Sequence, residues 1–490
     1  MNTGMKLNGS LRLFFIALAG CAITVFAAEN GSEAQTTSGR PNILWIIAED
    51  IGLDLGCYGN RDARTPRLDK LASQGRLYRR AYSTGPVCSP SRSAFMTGMY
   101  QTSFGAHHHR SHRDDGYQLP AGVRLISDRL REAGYFTANV VEFPAAMKLR
   151  GAGKTDWNFQ PPDKPFDSNK WETLKSRQPF YAQVNLSETH RIYKKAKNNP
   201  TDPAKLTLPP YLPDHPVARE DWALYHDSMM ALDTKVGAVL ERLEQEGLSG
   251  NTIVFFFGDN GRECFRGKYF AYEQGCQVPL MVRWPKLLPA GSTSDELVSL
   301  IDVTATTLAL AGVPVPEEMQ GQPFLGPNAK RREHLFTAMD RVGTKVDRVR
   351  TVRDARYKYI RNFEPTRPYL LPRMPYADNT NPNFNLMRRL YAEGKLNAVQ
   401  AKFLAPIKPA EELYDLQTDP FELNNLAESP EYKQVLTRLR SALEKWMVDT
   451  KDLGRTPEDP ATQKREIEKL TRQMEKQFGT KAAGEEKGKP

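Results

Sequence analysis

A chain of 490 residues can bury a large core, and 40% hydrophobic with 26% charged residues excludes a disordered or low-complexity polymer. Its net charge of +10 favours an anionic partner or substrate, or else is a solvated basic surface, and carries no information about fold. No apolar run after the N-terminus is long enough to cross a bilayer, so no integral membrane span is expected, nor is a nucleic-acid partner.

The first element is a leader. Lys6 and Arg12 precede an apolar run from Leu13 to Ala28 that is too short for a membrane span, and Val25-Phe26-Ala27 supplies a small-residue cleavage site. Residues 1–28 are therefore expected to be a signal peptide, with the mature chain periplasmic or secreted. Leu18-Ala19-Gly20-Cys21 offers a rival, lipid anchoring at Cys21. Outside the leader stand Cys57, Cys88, Cys264 and Cys276; Cys264 and Cys276 either pair or lie buried as thiols.

Short, nearly continuous apolar runs follow. Ile43–Ala48 ends at Glu49-Asp50, Phe180–Leu186 ends before Ser187-Glu188-Thr189-His190, and Thr252–Phe257 ends at Gly258-Asp259-Asn260. Tyr135–Val141 and Pro279–Trp284 complete the set. Such runs predict strands covered on both faces, as in a parallel sheet. Helical spacing appears over Pro66–Gln74 and Leu125–Ala133, stopped by Gly75 and Gly134, and over Trp222–Glu246, stopped by Gly247. The alternation predicts a doubly wound α/β fold whose ligand lies beyond the carboxyl ends of the strands.

Cys88-Ser89-Pro90-Ser91-Arg92 with Thr97-Gly98 opens a further predicted helix, Ser89 as N-cap and Pro90 in its first position. A helix N-terminus offers free N–H groups to an anion, and Arg92 adds a fork for its oxygens. Beyond about Leu335 the pattern changes. Arg350–Arg353 and Tyr357–Ile360 predict a smaller antiparallel sheet, residues 364–410 a Pro- and Asn-rich excursion, and Pro430–Val448 a helix capped by Ser429. A charged tail follows from Lys451, with a solvated helix over Thr462–Phe478 that ends in disorder. The expected division is 1–28 leader, 40–335 catalytic domain, 336–450 C-terminal α+β subdomain and 451–490 tail.

Taken together, the CSPSR string, the adjacent acids after the first strand, the Asp-Asn pair after a later one, and Glu412-Leu413-Tyr414-Asp415-Leu416 near the C-terminus resemble the type I sulfatases of the alkaline phosphatase-like superfamily. The N-terminal half is also similar to that of heparan N-sulfatases. The resemblance implies an α/β/α sandwich with a large, mostly parallel sheet plus the smaller antiparallel one. It implies hydrolysis of sulfate esters on a sulfated carbohydrate by formylglycine made from Cys88, with a formylglycine-generating enzyme as a maturation partner. It further implies a metal held by Glu49, Asp50, Asp259 and Asn260, whose hard oxygen donors suit Ca2+ or Mg2+. The first acid is usually Asp, and Glu49 departs from that. Arg92, Lys154, His190 and Lys268 correspond to the family's sulfate-binding and proton-donating groups; Asp156 stands where the family has a histidine. Sulfamate, phosphoester or phosphonate hydrolysis, and a sugar-binding protein without activity, are the alternatives on the same fold. Apart from the family, His107, His108 and Arg110, in a His107-His108-His109-Arg110 run after the nucleophile's helix, are expected to line the pocket mouth and bind an anionic sugar.

Overall fold

Strand β1 (Asn42–Ala48) is buried along its whole length, and it takes the centre of an eight-stranded sheet. The computed structural model describes residues 39–111 and 113–479; the leader, with Cys21, and the last part of the tail lie outside them. The other strands are β2 (Arg76–Tyr82), β3 (Phe136–Glu142), β4 (Ser168–Lys170), β5 (Phe180–Leu186), β6 (Thr252–Gly258), β7 (Gln277–Arg283) and β8 (Ser292–Ser299). Their order is β4-β3-β5-β1-β6-β7-β2-β8. All run one way except β7, which is antiparallel to both β6 and β2.

Alternate residues of the central strands feed two layers. Ile43, Trp45, Ile47, Phe255 and Phe257 pack with Phe95 and the helices Ile126–Glu132 and Leu300–Leu310. Leu44, Ile46, Val254 and Phe256 pack against the helices Pro66–Ser73 and Pro216–Gln245. This is the expected α/β/α sandwich, and the period of two explains why strands hydrophobic on both faces are needed. Trp45 stands edge-on to Phe95 (6.2 Å), Tyr181 (5.2 Å) and Phe257 (5.4 Å), and its Nε1 donates to Thr307 Oγ1 at 3.1 Å. The indole thereby ties the Cys88–Thr97 helix to the middle of the sheet.

That helix starts earlier than the sequence suggests. Cys88 is its first residue, extended Val87 is the N-cap, and Ser91 N donates to Val87 O at 3.2 Å. Ser89 is therefore inside the helix and does not cap it. Gly98 ends it in the left-handed region (φ 72°), its N–H returning to Ala94 O at 2.9 Å.

A second sheet, β12-β11-β10-β9, is antiparallel, built from β9 (Leu335–Met339), β10 (Val349–Arg353), β11 (Tyr357–Asn362) and β12 (Glu411–Asp415). One face carries the helix Lys433–Asp449, which follows a single 3-10 turn over Pro430–Tyr432. The other face packs on Phe270 and Tyr272. Ala338 N bonds to Thr84 O at 2.9 Å and Thr337 Oγ1 to Ser83 O at 3.1 Å, so the small sheet walls the segment leading to Cys88. The excursion over 364–410 is not irregular throughout: Pro375–Thr380 and Pro382–Ala392 are helices, each opened by proline, the second capped by Asn381. The tail helix spans Pro460–Phe478. Cys57, Cys88, Cys264 and Cys276 are all unpaired thiols, which answers the question left open for Cys264 and Cys276.

Candidate active site

The register of the three central strands assembles the site. Ala48 pairs with both Leu186 and Gly258, so Glu49-Asp50, Ser187–His190 and Asp259-Asn260 leave the sheet at one level. The backbone stays joined there: Glu49 N bonds to Leu186 O at 3.0 Å, Asp259 N to Ala48 O at 3.0 Å and Ile51 N to Asn260 O at 3.1 Å. Gly258 has to be glycine, because a Cβ would meet Ile51 Cγ2 at 2.6 Å. Asp50 takes a positive φ of 49°, uncommon for a residue with a side chain and the kind of outlier found at functional sites.

Three cations grip these acids. Arg92 Nε lies 2.8 Å from Asp259 Oδ2 while its Nη1 donates to Asn185 Oδ1 at 2.7 Å. Lys154 Nζ donates to Glu49 Oε2 at 2.8 Å. Lys268 Nζ donates to Asp50 Oδ2 at 2.8 Å and sits 3.4 Å from Glu263 Oε2. Ser91 Oγ donates to Asp259 O at 2.5 Å, fastening the Cys88–Thr97 helix to the end of β6. Burial acts against charge on Lys268, but Asp50, Cys88 and Glu263 outweigh it and hold the ammonium protonated well above its ordinary range. Lys154 is raised in the same way, by Cys88, Asp156 and Glu49 against burial. Burial would raise the Asp50 carboxyl; Lys268, His190 and Lys154 more than reverse it and hold the group below the usual range.

Whether these residues fit a metal is testable on their own chemistry. Glu49, Asp50, Asp259 and Asn260 are all 3% exposed or less. Asn260 Nδ2 donates to Asp50 Oδ1 at 2.9 Å, while its Oδ1 is buried without a hydrogen-bond partner. Burial, with Asp50 and Glu49 adding to it, pushes the Asp259 carboxyl up despite Arg92, the mark of a carboxylate short of positive charge. Counting Asp156 and Glu263, five carboxylates face three fixed cations. Hard oxygens, an orphaned amide oxygen and surplus negative charge fit a hard divalent cation. Asp50, His190 and Glu263 also have donor atoms within 4.8 Å of one another. Lys268 Nζ is within reach of all three, however, lying 3.5 Å from His190 Nε2, so that cluster already holds a cation.

Cys88 is 4% exposed, and the charges acting on its thiol come from Lys154, Lys268, Asp156 and Asp50, so it sits among the groups just described. His190 Nδ1 is 2.8 Å from Arg191 O, which can only accept; Nδ1 thus carries the hydrogen and Nε2 faces Lys268. Every residue expected to be catalytic or metal-binding is therefore brought into one cluster.

The histidine run is placed differently from expectation. His107 is buried among charges from Asp340, Arg350 and Asp452, and burial drives its pKa down. His108 Nδ1 is 3.9 Å from Glu458 Oε2, and Arg110 Nε donates to Glu458 Oε1 at 2.9 Å. Arg341 Nε holds the same glutamate at 2.6 Å. His108 and Arg110 thus tie to Glu458, away from the pocket, and His107 lies buried beside them against the His108 ring at 4.3 Å, its Nδ1 without a hydrogen-bond partner. His109 instead feels Lys268, Asp156 and Lys154, and burial lowers it to about 3. Sequence reasoning missed His109 as the member of the run that faces the site, and missed Glu263 and Asn185 as partners of Lys268 and Arg92. The histidine run itself was visible; which ring turns inward depends on loop geometry.

An acid-lined cation site beside a helix-borne residue 88 and fixed anion-binding cations is the apparatus of a metal-assisted ester hydrolase. The chain matches the sulfatase family model over residues 41–313, more than half its length, and belongs to that family; it is a sulfuric ester hydrolase. The C-terminal model of N-sulphoglucosamine sulphohydrolase matches residues 261–408. An ulvan-active sulfatase of Formosa agariphila is 37% identical over 471 residues, covering 86% of this chain and 76% of its own. Human N-sulphoglucosamine sulphohydrolase is 27% identical over 464 residues, covering 84% and 91%. A solved 2-O GAG sulfatase superposes with a TM-score of 0.63 at 20% identity, covering 86% of this chain and 96% of that one, which supports the fold.

Proposed function

We propose that this protein is an exported enzyme that removes sulfate esters from a sulfated polysaccharide, with Cys88 converted to formylglycine by a formylglycine-generating enzyme. The observation that carries the reading is the setting of residue 88. It opens a buried helix whose Arg92 is bonded to Asp259, and two lysines act on it. Burial pushes the Cys88 thiol up to about 12, so an unconverted cysteine is a weak nucleophile at neutral pH.

Formylglycine, hydrated, supplies a hydroxyl to attack sulfur and a second hydroxyl whose ionisation expels sulfate. A calcium ion held by Glu49, Asp50, Asp259 and Asn260 supplies Lewis acidity that lowers the pKa of the attacking group; magnesium meets the same donors. The chain's own residues do the rest. Lys154, Lys268 and Arg92 set three fixed positive charges where the sulfate oxygens gain charge, in a buried site where such charges act strongly. Asp259, at the end of β6 where Ser91 fastens the helix of residue 88, accepts the proton of the attacking hydroxyl. His190 Nε2, 3.5 Å from Lys268 Nζ, is the nitrogen that gives a proton to the leaving oxygen. The polymer as substrate draws support from the relatives named above, one active on ulvan. The match of residues 261–408 to the sulphoglucosamine family favours a second reading, N-sulfate cleavage. Export rests on the Lys6, Arg12 and Leu13–Ala28 pattern, with Cys21 anchoring as the variant; cell fractionation decides.

The test pairs mass spectrometry of the Cys88 peptide with sulfate release. Protein made beside a formylglycine-generating enzyme should carry an aldehyde at position 88, release sulfate from an O-sulfated polysaccharide, lose that activity with a chelator and regain it with calcium. Full activity with an unaltered thiol, or no sulfate release after confirmed conversion, overturns the proposal. Faster release from N-sulfated glucosamine than from O-sulfated sugars selects the second reading.

A further inference from the structure

On the face of the small sheet that carries helix Lys433–Asp449, two adjoining cavities of about 300 and 450 Å3 share Arg361, Phe363 and Arg440. Arg348, Arg455 and Glu444 also line the smaller cavity, and Glu411 lines the larger. None of these residues belongs to the catalytic cluster. We infer that this arginine groove is a second, non-catalytic binding site for the sulfated polysaccharide chain, holding a stretch of it away from the ester being cleaved. The inference rests on the polymer reading of the substrate given above.

The charges in the groove are unequally matched. Arg440 is forked on Glu411 at 2.8 and 2.7 Å, so that cation is spoken for. Arg361 lies 3.7 Å from Glu444, a pair whose side chains are 38% and 62% exposed and which water and salt weaken. Arg348 and Arg455 have no carboxylate at ion-pair distance among the described residues. Arg348 donates only to the carbonyls of Gly454 (3.3 Å) and Arg455 (3.2 Å), and its Nε is buried with no partner at all. Phe363 organises the set: the Arg348 guanidinium lies 3.9 Å from its ring centre and that of Arg361 5.4 Å. Stacking on one ring fixes two long side chains before any ligand arrives, which reduces the entropy lost on binding. Guanidinium forks match the paired oxygens of sulfate and of uronate carboxylates. Arg348, Arg361 and Arg455, of which the first two are prearranged on Phe363 and the first and last lack a carboxylate, line a trough open to solvent and fit an extended polyanion better than a compact one.

The test uses the converted, metal-loaded enzyme and the double variant Arg361→Ser with Arg455→Ser, both on the surface. Arg348→Gln is a second, independent variant. A control of equal charge change, Lys205→Ser with Lys464→Ser, removes two exposed lysines elsewhere, 83% and 79% exposed. Electrophoretic retardation in gels containing dextran sulfate is read against neutral dextran, and KM and kcat are measured on sulfated polymer and on a small aryl sulfate. The groove variants should raise KM on polymer about tenfold, leave kcat and the aryl sulfate unchanged, and lose most of the retardation. The lysine control should match wild type. Equal retardation in the groove variants and wild type, or losses as large in the lysine control, overturns the inference. If wild type cleaves aryl sulfate but no polymer, the polymer reading fails separately, and the gel result alone then decides the groove.

Discussion

Asp156 shows how one buried side chain can retune an anion site. Its carboxylate is 4% exposed and lies 3.6 Å from Lys154 Nζ and 3.7 Å from Arg92 Nε, two of the three cations offered to sulfate. A carboxylate there positions both side chains but also cancels part of their field, which weakens the hold on product. Asp156→Asn keeps the shape and removes the charge. Inorganic sulfate should then inhibit at about tenfold lower concentration, about 1.4 kcal/mol, which is well inside the ~4 kcal/mol between two unit charges about 4 Å apart at an effective dielectric of about 20. An unchanged inhibition constant would mean that Asp156 only supports the loop. His190 makes a different prediction. Because Nε2 faces Lys268 and would pass the proton to the leaving oxygen, His190→Asn should cut kcat by about 10²–10³ on a sugar sulfate, whose alkoxide leaves poorly. The same variant should lose far less on a nitrophenyl sulfate, whose leaving group needs no proton; equal losses on both would remove the general-acid role. His109, lowered to about 3 by burial, stays neutral across the working range and so cannot set the acid limb of the pH profile.

At the level of elements, the parts legible in the sequence were those whose local pattern and tertiary role agree. β1, β5 and β6 are buried throughout and mostly apolar because helices cover both faces, and their ends could be read as site-bearing because acids and a histidine interrupt the run. β2 and β8 escaped notice for the opposite reason. Arg76-Leu77-Tyr78-Arg79-Arg80 and Ser292-Thr293-Ser294-Asp295-Glu296 are polar, and β8 is the sheet's edge, where half-exposed residues need no apolar signal. The partners Asn185, Asp156 and Glu263 were illegible as a set, since they meet only after loops of different length close over the strand ends. The helix Lys433–Asp449 was legible and has an energetic role that its sequence does not reveal. Trp446 stacks on Phe336 at 5.0 Å and stands edge-on to Tyr100 at 5.1 Å, two residues past the glycine that ends the nucleophile's helix. Trp446→Ala should cost about 3–5 kcal/mol in unfolding free energy, the usual range for a buried indole. Thermal or urea denaturation checks it, and a cost under 1 kcal/mol would show that this helix is an appendage.

The whole molecule depends on how the small sheet docks against the catalytic loop, and Lys345 reports on that joint. It is buried, lies 4.3 Å from the Phe270 ring centre and 3.4 Å from Tyr269 O, one residue past Lys268 of the acid cluster. Asp347, its one carboxylate partner among the described residues at 3.4 Å, is held more closely by Lys408 at 2.6 Å. Burial, with Lys408 adding to it, lowers Lys345 from 10.5 to about 8 against the pull of Asp347. The sign follows from proton counting. Between pH 8 and 10.5 the unfolded chain holds a proton at this lysine that the folded chain lacks, so unfolding free energy from this group rises with pH across that window. Below about pH 8 both states are protonated and the full cost of the buried ammonium, about 3 kcal/mol, is present. Lys345→Met keeps the stem over Phe270 and removes the titration. Its stability relative to wild type should therefore be greatest near pH 7 and fall by about 3 kcal/mol by pH 10.5, measured by urea unfolding of both proteins in matched buffers. Other ionisations cancel in the difference, so a flat difference across the window would place the ammonium in water and the joint between sheet and loop ajar.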